Sequence, residues 1–253
     1  HTKDFAVKDA RVCTVLGSQW GDEGKGKLAD VLAADYDIVA RFNGGANAGH
    51  TVVADGKKFA FHLLPCGLVY PHTTNLLGNG VVVDLESLFD ELEPLDEAGI
   101  SWEGRLLVSD RAHLLFGFHK TIDGIMEERD TSSAIGTTRK GIGPAYSVKA
   151  MREGLRVGHL RHFDTFKRKL VKTITTYMDL YEFDYDVDAE IERVAALRER
   201  VLPMIVDGVH YINKAHRDGK RILTEGANAA MLDLDFGTYP YVTSSTTTAG
   251  GVS

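Results

Sequence analysis

Cysteine is scarce: the 253-residue chain has two, Cys13 and Cys66, both in apolar surroundings. Two are too few for a disulfide framework, and they suit a reducing cytosol better than secretion. Also missing is any run of the roughly 18 consecutive apolar residues that a membrane-spanning helix needs. The opening stretch HTKDFAVKDA has no apolar core of the signal-peptide kind, so export and membrane insertion lack support and a cytoplasmic setting is expected. No H-E-x-x-H, paired C-x-x-C or G-x-S-x-G pattern occurs, which leaves a zinc protease, a zinc finger and an α/β-hydrolase without their signatures. Basic residues are in the minority, 29 against 36 acidic, for a net charge of −7. That balance disfavours nucleic acid as a partner.

What remains is a globular protein with 43% hydrophobic and 26% charged residues, able to bury a real core. The length fits a single α/β domain spanning residues 1–253, with residues 1–10 expected to be flexible. Glycine is in excess, with 26 residues gathered where loops approach a ligand.

Val12 to Leu16 reads as a strand, and Gly24 to Ala34 as a helix with Leu28, Val31 and Leu32 on one face. A second strand, Ile38 to Phe42, runs into Asn43-Gly44-Gly45-Ala46-Asn47-Ala48-Gly49-His50, too small and polar to pack and therefore read as a ligand loop. Gly80 to Asp84 and Arg105 to Ser109 are further strands, separated by a helix over Leu85 to Glu97. This alternation predicts an α/β fold with a mainly parallel central sheet and flanking helices. Helices are also predicted over Phe163 to Tyr177 and Ala189 to Leu202, N-capped by Asp164 and Asp188, and from Met204 to near Gly219. Arg221 to Thr224 returns to a strand before a loop, Glu225-Gly226-Ala227-Asn228.

Gly21-Asp22-Glu23-Gly24-Lys25-Gly26-Lys27 follows the first strand and opens the first helix, where backbone N–H groups and the helix dipole cradle phosphates. The spacing satisfies G-x-x-x-x-G-K, but Leu28 stands where a P-loop has the Ser or Thr that holds magnesium. Some other oxygen must then hold the metal. Asp22 is the candidate, because a carboxylate inside a phosphate loop repels the phosphate unless a cation lies between them. His50, beside Gly49 in a loop of small residues, is placed to reach a transferring group, although histidine is common elsewhere in the chain.

From Arg139 to Lys172 the chain carries ten Lys or Arg and two acids. Lys167, Arg168, Lys169 and Lys172 read as a solvated helix face. Arg139, Lys140 and Arg152 instead flank glycine-rich segments where backbone comes close to an anion. The tail from Gly237 to Gly251 is rich in hydroxyls and glycine, and reads equally as a ligand loop or a disordered end.

Four motifs stand in one order: Gly17-Ser18-Gln19-Trp20-Gly21-Asp22-Glu23-Gly24-Lys25-Gly26-Lys27; Asn47-Ala48-Gly49-His50-Thr51; Gly136-Thr137-Thr138 with Gly141-Ile142-Gly143-Pro144-Ala145-Tyr146; and Asp235-Phe236-Gly237-Thr238-Tyr239-Pro240. Together they closely resemble the adenylosuccinate synthetase family, from Val12 to the last residue. The family's chain runs well beyond Ala249-Gly250-Gly251-Val252, so the sequence is expected to be the first part, somewhat over half, of a member.

The resemblance implies GTP-dependent joining of IMP and L-aspartate to adenylosuccinate through a 6-phosphoryl-IMP intermediate. It implies Asp22 as general base and His50 as the acid that hydrogen-bonds the transferring phosphoryl. Mg²⁺ would be held by Asp22 and the Gly49 carbonyl. GTP would lie against Gly21, Asp22, Glu23, Gly24, Lys25, Gly26, Lys27, Gly49, His50 and Thr51. IMP would meet Asp22, Lys25, Asn47, His50, Thr138, Asn228 and Thr243, with Arg152 reaching the IMP phosphate of the partner subunit in a homodimer. Asn228 stands where the family more commonly has glutamine, keeping the amide on a stem shorter by one methylene. Two other classes stay open: a P-loop-like GTPase that needs no IMP, and a nucleotide-binding fragment without activity.

Overall fold

The computed structural model describes residues 10–47, 49–54, 56–129 and 136–252. The expectation for residues 1–10 therefore lies, except at Ala10, outside the described residues. Among these, the elements run β1 (Val12–Gly17), α1 (Lys25–Ala33), β2 (Ile38–Gly44), β3 (His50–Ala54), β4 (Lys57–Phe61), β5 (Thr74–Asp84), α2 (Leu85–Glu97), β6 (Leu106–Ser109) and β7 (His113–Leu115). They continue with α3 (Gly117–Arg129), α4 (Ile142–Ala150), α5 (Phe163–Tyr181), α6 (Val187–Val201), β8 (Ile205–Val206), α7 (Gly208–Arg217) and β9 (Ile222–Ala229).

Hydrogen bonding orders the main sheet β1-β9-β2-β5-β6-β8, with β7 continuing alongside the far end of β5, and every pairing in it is parallel. The sheet is the mainly parallel one that the alternation predicts. β3 and β4 form a separate antiparallel hairpin, with His50 opposite Phe61. β2 lies between β9 and β5 and is buried at all seven positions, as a central strand covered on both faces must be. The main core gathers residues from the inner helices, this sheet and the connections between them, among them Tyr36, Leu64, Leu88, Phe118 and Phe166.

Several local expectations are corrected or completed. α1 does not bury Leu28 and Val31; they stand 46% and 47% exposed, while Ala29 and Ala33 face inward. Small residues take the inner face because the helix approaches β3 closely: a Cβ on Gly26 would lie 2.5 Å from that of His50. The N-cap of α6 is Asp186, whose side chain accepts from Ala189 N at 2.9 Å, and Asp188 lies inside the first turn. Asp164 also lies within the first turn of α5, ion-paired to Lys167 at 3.1 Å, and His162 is the capping position. The helix expected from Met204 begins at Gly208, because Ile205–Val206 first pairs with β6 and Asp207 then caps α7 through His210 N at 2.9 Å. Glu225 to Asn228 is not a loop but the second half of β9, its glycine hidden inside the strand. The glycine-rich Gly141 to Pro144 opens α4: Gly141 caps it at φ 75°, and Ile142, Gly143 and Pro144 form its first turn.

Candidate functional site

The C-terminal end of β1 delivers the chain into the Ser18–Gly24 segment and then into α1, whose capping residue Gly24 has φ 82° and supplies no side-chain cap. The N-terminus of α1 faces a cavity of about 290 Å³ lined by Asp22, Lys25, Lys27, Gly49, His50 and Thr51, with Gly24 and Gly26 beside them. A helix start stripped of a side-chain cap beside lysines is a ready anion site. Asp22 is exposed and holds a left-handed backbone, φ 58°. Gly21 and Glu23 do not line this cavity. Glu23 instead braces the loop: its Oε1 accepts from Gln19 N at 2.7 Å and from Gly21 N at 3.2 Å. Burial pushes its carboxyl up, but these backbone donors and the Lys25 ammonium outweigh that and hold it below its ordinary value. Burial lowers the Lys25 ammonium, opposed by the carboxylates of Glu23, Glu225 and Asp22.

His50 opens β3 against α1, its ring edge-on to Phe61 at 6.0 Å. Its Nε2 is buried without a hydrogen-bond partner. Burial pulls the imidazole below its ordinary pKa, partly opposed by Glu225 and Glu91, while Arg41 and Lys25 add to the depression. The neutral ring is therefore the form present at neutral pH.

Sequence reasoning missed the floor of this cavity, Arg41 on β2 and Glu225 on β9. Arg41 is 2% exposed and donates to three backbone carbonyls, those of Asn43, Gly45 and His62. Glu225 is 6% exposed, and its Oε2 accepts from Cys66 N at 3.2 Å. The available signal was a single charge inside each of two otherwise uncharged, largely apolar strands, a placement chains rarely keep without a partner.

A second cavity, of about 580 Å³, gathers Asn47, Thr138, Asn228 and Thr243 together with Trp20 and Asp123. Asn228 has φ 64°, a conformation asparagine tolerates better than most side chains, and its buried Oδ1 has no partner. Asn47 Oδ1 accepts from Gly45 N at 3.2 Å. The two cavities are neighbours built from shared segments. Trp20 and Asp22 lie on one loop, Asn47 and Gly49 two positions apart between β2 and β3, and Ala227 and Asn228 on one strand, each pair divided between the two cavities. The residues expected at the IMP site thus separate, Asp22, Lys25 and His50 at the first cavity and the other four at the second.

Arg152 lines neither cavity; it is exposed just beyond α4 with φ 65°. Lys140 ties α4's approach to the turn before Asn47 through Ala46 O at 2.7 Å, and the exposed Arg139 pairs with Glu128 at 3.2 Å. Arg168, Lys169 and Lys172 lie exposed on α5, as a solvated face requires. The tail is ordered. Buried Asp233 accepts from the backbone N–H groups of Asp235, Phe236, Thr247 and Thr248, and Thr247 Oγ1 donates to Ala229 O at 2.8 Å. Asn43 completes the tie, donating to Ser245 Oγ at 3.0 Å and accepting from Ala227 N at 2.9 Å.

Among the described residues no group of three or more His, Cys, Asp or Glu side chains forms a metal cage, and no helix is long and apolar enough to cross a membrane.

Residues 14–253 match the family model for adenylosuccinate synthetase. The chain is 56% identical over 243 residues to the chloroplastic adenylosuccinate synthetase of Ostreococcus tauri, covering 95% of this chain and 51% of that one. It is 57% identical to adenylosuccinate synthetase 1 of Laccaria bicolor, with 95% and 58% covered. The fully ligated adenylosuccinate synthetase of Plasmodium falciparum superposes with a TM-score of 0.90 at 48% identity, over 96% of this chain and 57% of that chain. A cyanophage succinoaminodeoxyadenylate synthetase, at 21% identity and a TM-score of 0.62, shares the fold. The chain spans about half the length of the curated relatives it matches. With the phosphate loop, the two adjoining cavities and the full run of motifs in register, the chain belongs to the adenylosuccinate synthetase family.

Proposed function

We propose that this chain carries the phosphoryl-transfer centre of a GTP-dependent ligase that joins IMP to L-aspartate, releasing GDP and phosphate. The observation that carries the reading is the pair of cavities sharing three segments, one with phosphate-loop chemistry and one ringed by amides and hydroxyls. A nucleotide triphosphate on α1's N-terminus and a second nucleotide next door would put donor and acceptor side by side. A GTPase would need the first cavity and would leave the second without a purpose.

The oxygen on C6 of a purine lactam is a poor leaving group, so an amine cannot displace it directly. Transfer of the γ-phosphoryl to that oxygen makes phosphate the departing group. Asp22 takes the N1 proton, which places negative charge on O6 and makes it the nucleophile. The neutral His50, with Nε2 buried and unpartnered, has a ring nitrogen free to hydrogen-bond the transferring phosphoryl. Lys25 sets a positive charge beside the phosphates, and Arg41 and Glu225 fix the floor under them.

The donor set also fits a magnesium ion. Mg²⁺ keeps several waters and takes one or two protein oxygens plus substrate phosphates, which matches the exposed carboxylate of Asp22 and the carbonyl of exposed Gly49 at one cavity, Glu225 being buried in its floor. When bound, it neutralises charge on the phosphates. The exposure of Arg152, away from both cavities, supports a homodimer in which it serves the partner's IMP phosphate.

The test follows adenylosuccinate formation by the intact protein with GTP, IMP, aspartate and Mg²⁺, omitting each in turn. Product that requires all four supports the reading. GTP hydrolysis that proceeds at full rate without IMP replaces it with the GTPase.

A further inference from the structure

We infer that Asp123 is a positioning residue for the nucleotide in the second cavity, its carboxylate fixing the segment that presents Thr138. The inference rests on the proposal that this cavity takes IMP. Asp123 lies on α3, is 4% exposed, and divides its two oxygens between the ends of one segment. Oδ1 accepts from Thr137 Oγ1 at 2.9 Å, and Oδ2 accepts from Gly141 N at 2.8 Å. Thr138 lies between those two anchors and lines the cavity.

The segment's other ties lie to either side of Thr138: Gly136 N donates to Glu127 Oε2 at 3.2 Å, the exposed Arg139 pairs with Glu128, and Lys140 Nζ donates to Ala46 O. Of the side-chain acceptors, Asp123 alone is buried, and it holds both Thr137 and Gly141. Thr137, Thr138 and Arg139 are exposed, and Arg139 has φ 54°. Thr137 Oγ1, held by Asp123, in turn accepts from Arg139 N at 3.3 Å, so the carboxylate reaches past Thr138 on both sides. At the far anchor, Gly141 has φ 75°, and a Cβ there would lie 2.8 Å from Lys120 N of α3, so Asp123 draws the start of α4 directly onto α3.

A carboxylate lining a cavity for a phosphate-bearing ligand would repel that ligand if it faced it freely. Asp123 instead turns one oxygen to a hydroxyl and the other to an amide of the binding segment, so that its charge is directed at the segment it holds. Burial strengthens these bonds and makes an unpaired partner costly.

The experiment uses the intact protein and compares wild type with Asp123→Asn, Thr137→Val and Thr137→Ser, reading KM for IMP, KM for GTP, kcat, the IMP dissociation constant and thermal stability. Asn keeps one acceptor and loses the other, Val keeps shape and loses the hydroxyl, and Ser restores the hydroxyl. Hydrogen bonds to a charged group predict an IMP affinity weaker by about tenfold or more in Asp123→Asn and Thr137→Val, with the GTP KM moved far less. Thr137→Ser is expected to recover most of the IMP affinity that Thr137→Val loses. Should Asp123→Asn fail to fold, the Thr137 pair decides alone. Unchanged IMP affinity in folded Thr137→Val overturns the inference, as does a parallel weakening of IMP and GTP that merely follows lost stability. Wild-type protein that binds no IMP overturns the functional reading and this inference together; wild-type binding with unaltered variants overturns this inference only.

Discussion

Arg41 of β2 and Glu225 of β9 stand opposite each other in the parallel ladder beneath the first cavity, both almost fully buried. The guanidinium is held by three backbone carbonyls, so it fastens the β2 exit, the Gly45 turn and the chain at His62 at a single point. Burial pushes it down and Glu225 pushes it back up, as expected for opposite charges sharing a dry site.

Arg41→Met is therefore expected to destabilise the fold by about 3 kcal/mol or more, because it leaves three carbonyls without a donor and removes the buried cation beside Glu225, with Lys25 left to offset that carboxylate. Urea unfolding followed by circular dichroism measures this. A loss below about 1 kcal/mol, the range of an ordinary surface substitution, would mean that the carbonyls find other partners.

Acid should weaken the fold through buried histidines. His119 on α3 is 2% exposed; burial pushes its imidazole down to about 3, and its Nδ1 accepts from Phe116 N at 3.0 Å. Unfolded, the ring takes up a proton near pH 6.5, so at lower pH the unfolded state binds more protons than the folded one. Stability falls as pH drops below about 6.5, by up to about 1.4 kcal/mol per pH unit from this one group. His113, pushed down to about 4 by burial and by Lys149, Arg156 and His159, acts in the same direction. In His119→Gln, whose amide oxygen still offers an acceptor to Phe116 N, the slope between pH 6.5 and 4.5 should flatten. An unchanged slope in urea midpoints would place the acid sensitivity elsewhere.

The β1–loop–α1 unit was legible because its determinants are local: an apolar strand, then glycine at φ 82°, then a helix within a few residues. α2 was legible for the same reason, with Asp84 as a capping side chain and Leu88, Leu92 and Leu95 on one face. The second half of β9 was not, although its start at Ile222 to Thr224 was: Glu225-Gly226-Ala227-Asn228 has turn composition and becomes strand only through pairing with strands some two hundred residues earlier in the chain. Which face of α1 lies inward was not legible, because apolar periodicity cannot tell which face approaches a neighbour; the glycine at position 26 and two alanines decide it. Asp22, Lys25 and His50 were found by motif, whereas Arg41, Asn43 and Asp233 act by tying distant segments together, a role that spacing does not encode.

Asp22→Asn should abolish phosphoryl transfer while leaving the fold intact, since Asp22 is exposed and its loop is braced by Glu23 instead. The amide can neither accept the N1 proton nor serve as an anionic metal ligand. Turnover is expected to fall by more than about 10²-fold, the lower range for loss of a general base. Steady-state rates with saturating substrates and Mg²⁺ measure it, and turnover within a few-fold of wild type would remove Asp22 from the chemistry.

Arg152→Leu should weaken IMP binding far more than GTP binding, because the proposed contact of its guanidinium is with the IMP phosphate alone. A charge-assisted hydrogen bond of this kind is worth about 1.5 to 3 kcal/mol, so the KM for IMP should rise by about tenfold or more. The location of Arg152 supplies a stricter test, since it lines neither cavity of its own chain. If its guanidinium serves a second subunit, Arg152→Leu and Asp22→Asn subunits complement one another: a mixed dimer holds one site with an intact Asp22 and a partner's intact Arg152. Random exchange makes half of the dimers mixed, so at IMP far below the raised KM, where Arg152→Leu homodimers are slow and Asp22→Asn homodimers idle, mixing should bring activity up to about a quarter of wild type. Subunit exchange is verified separately with differently tagged chains. Exchange without recovered activity would show that each site is completed within one chain, and Arg152 would then need another role.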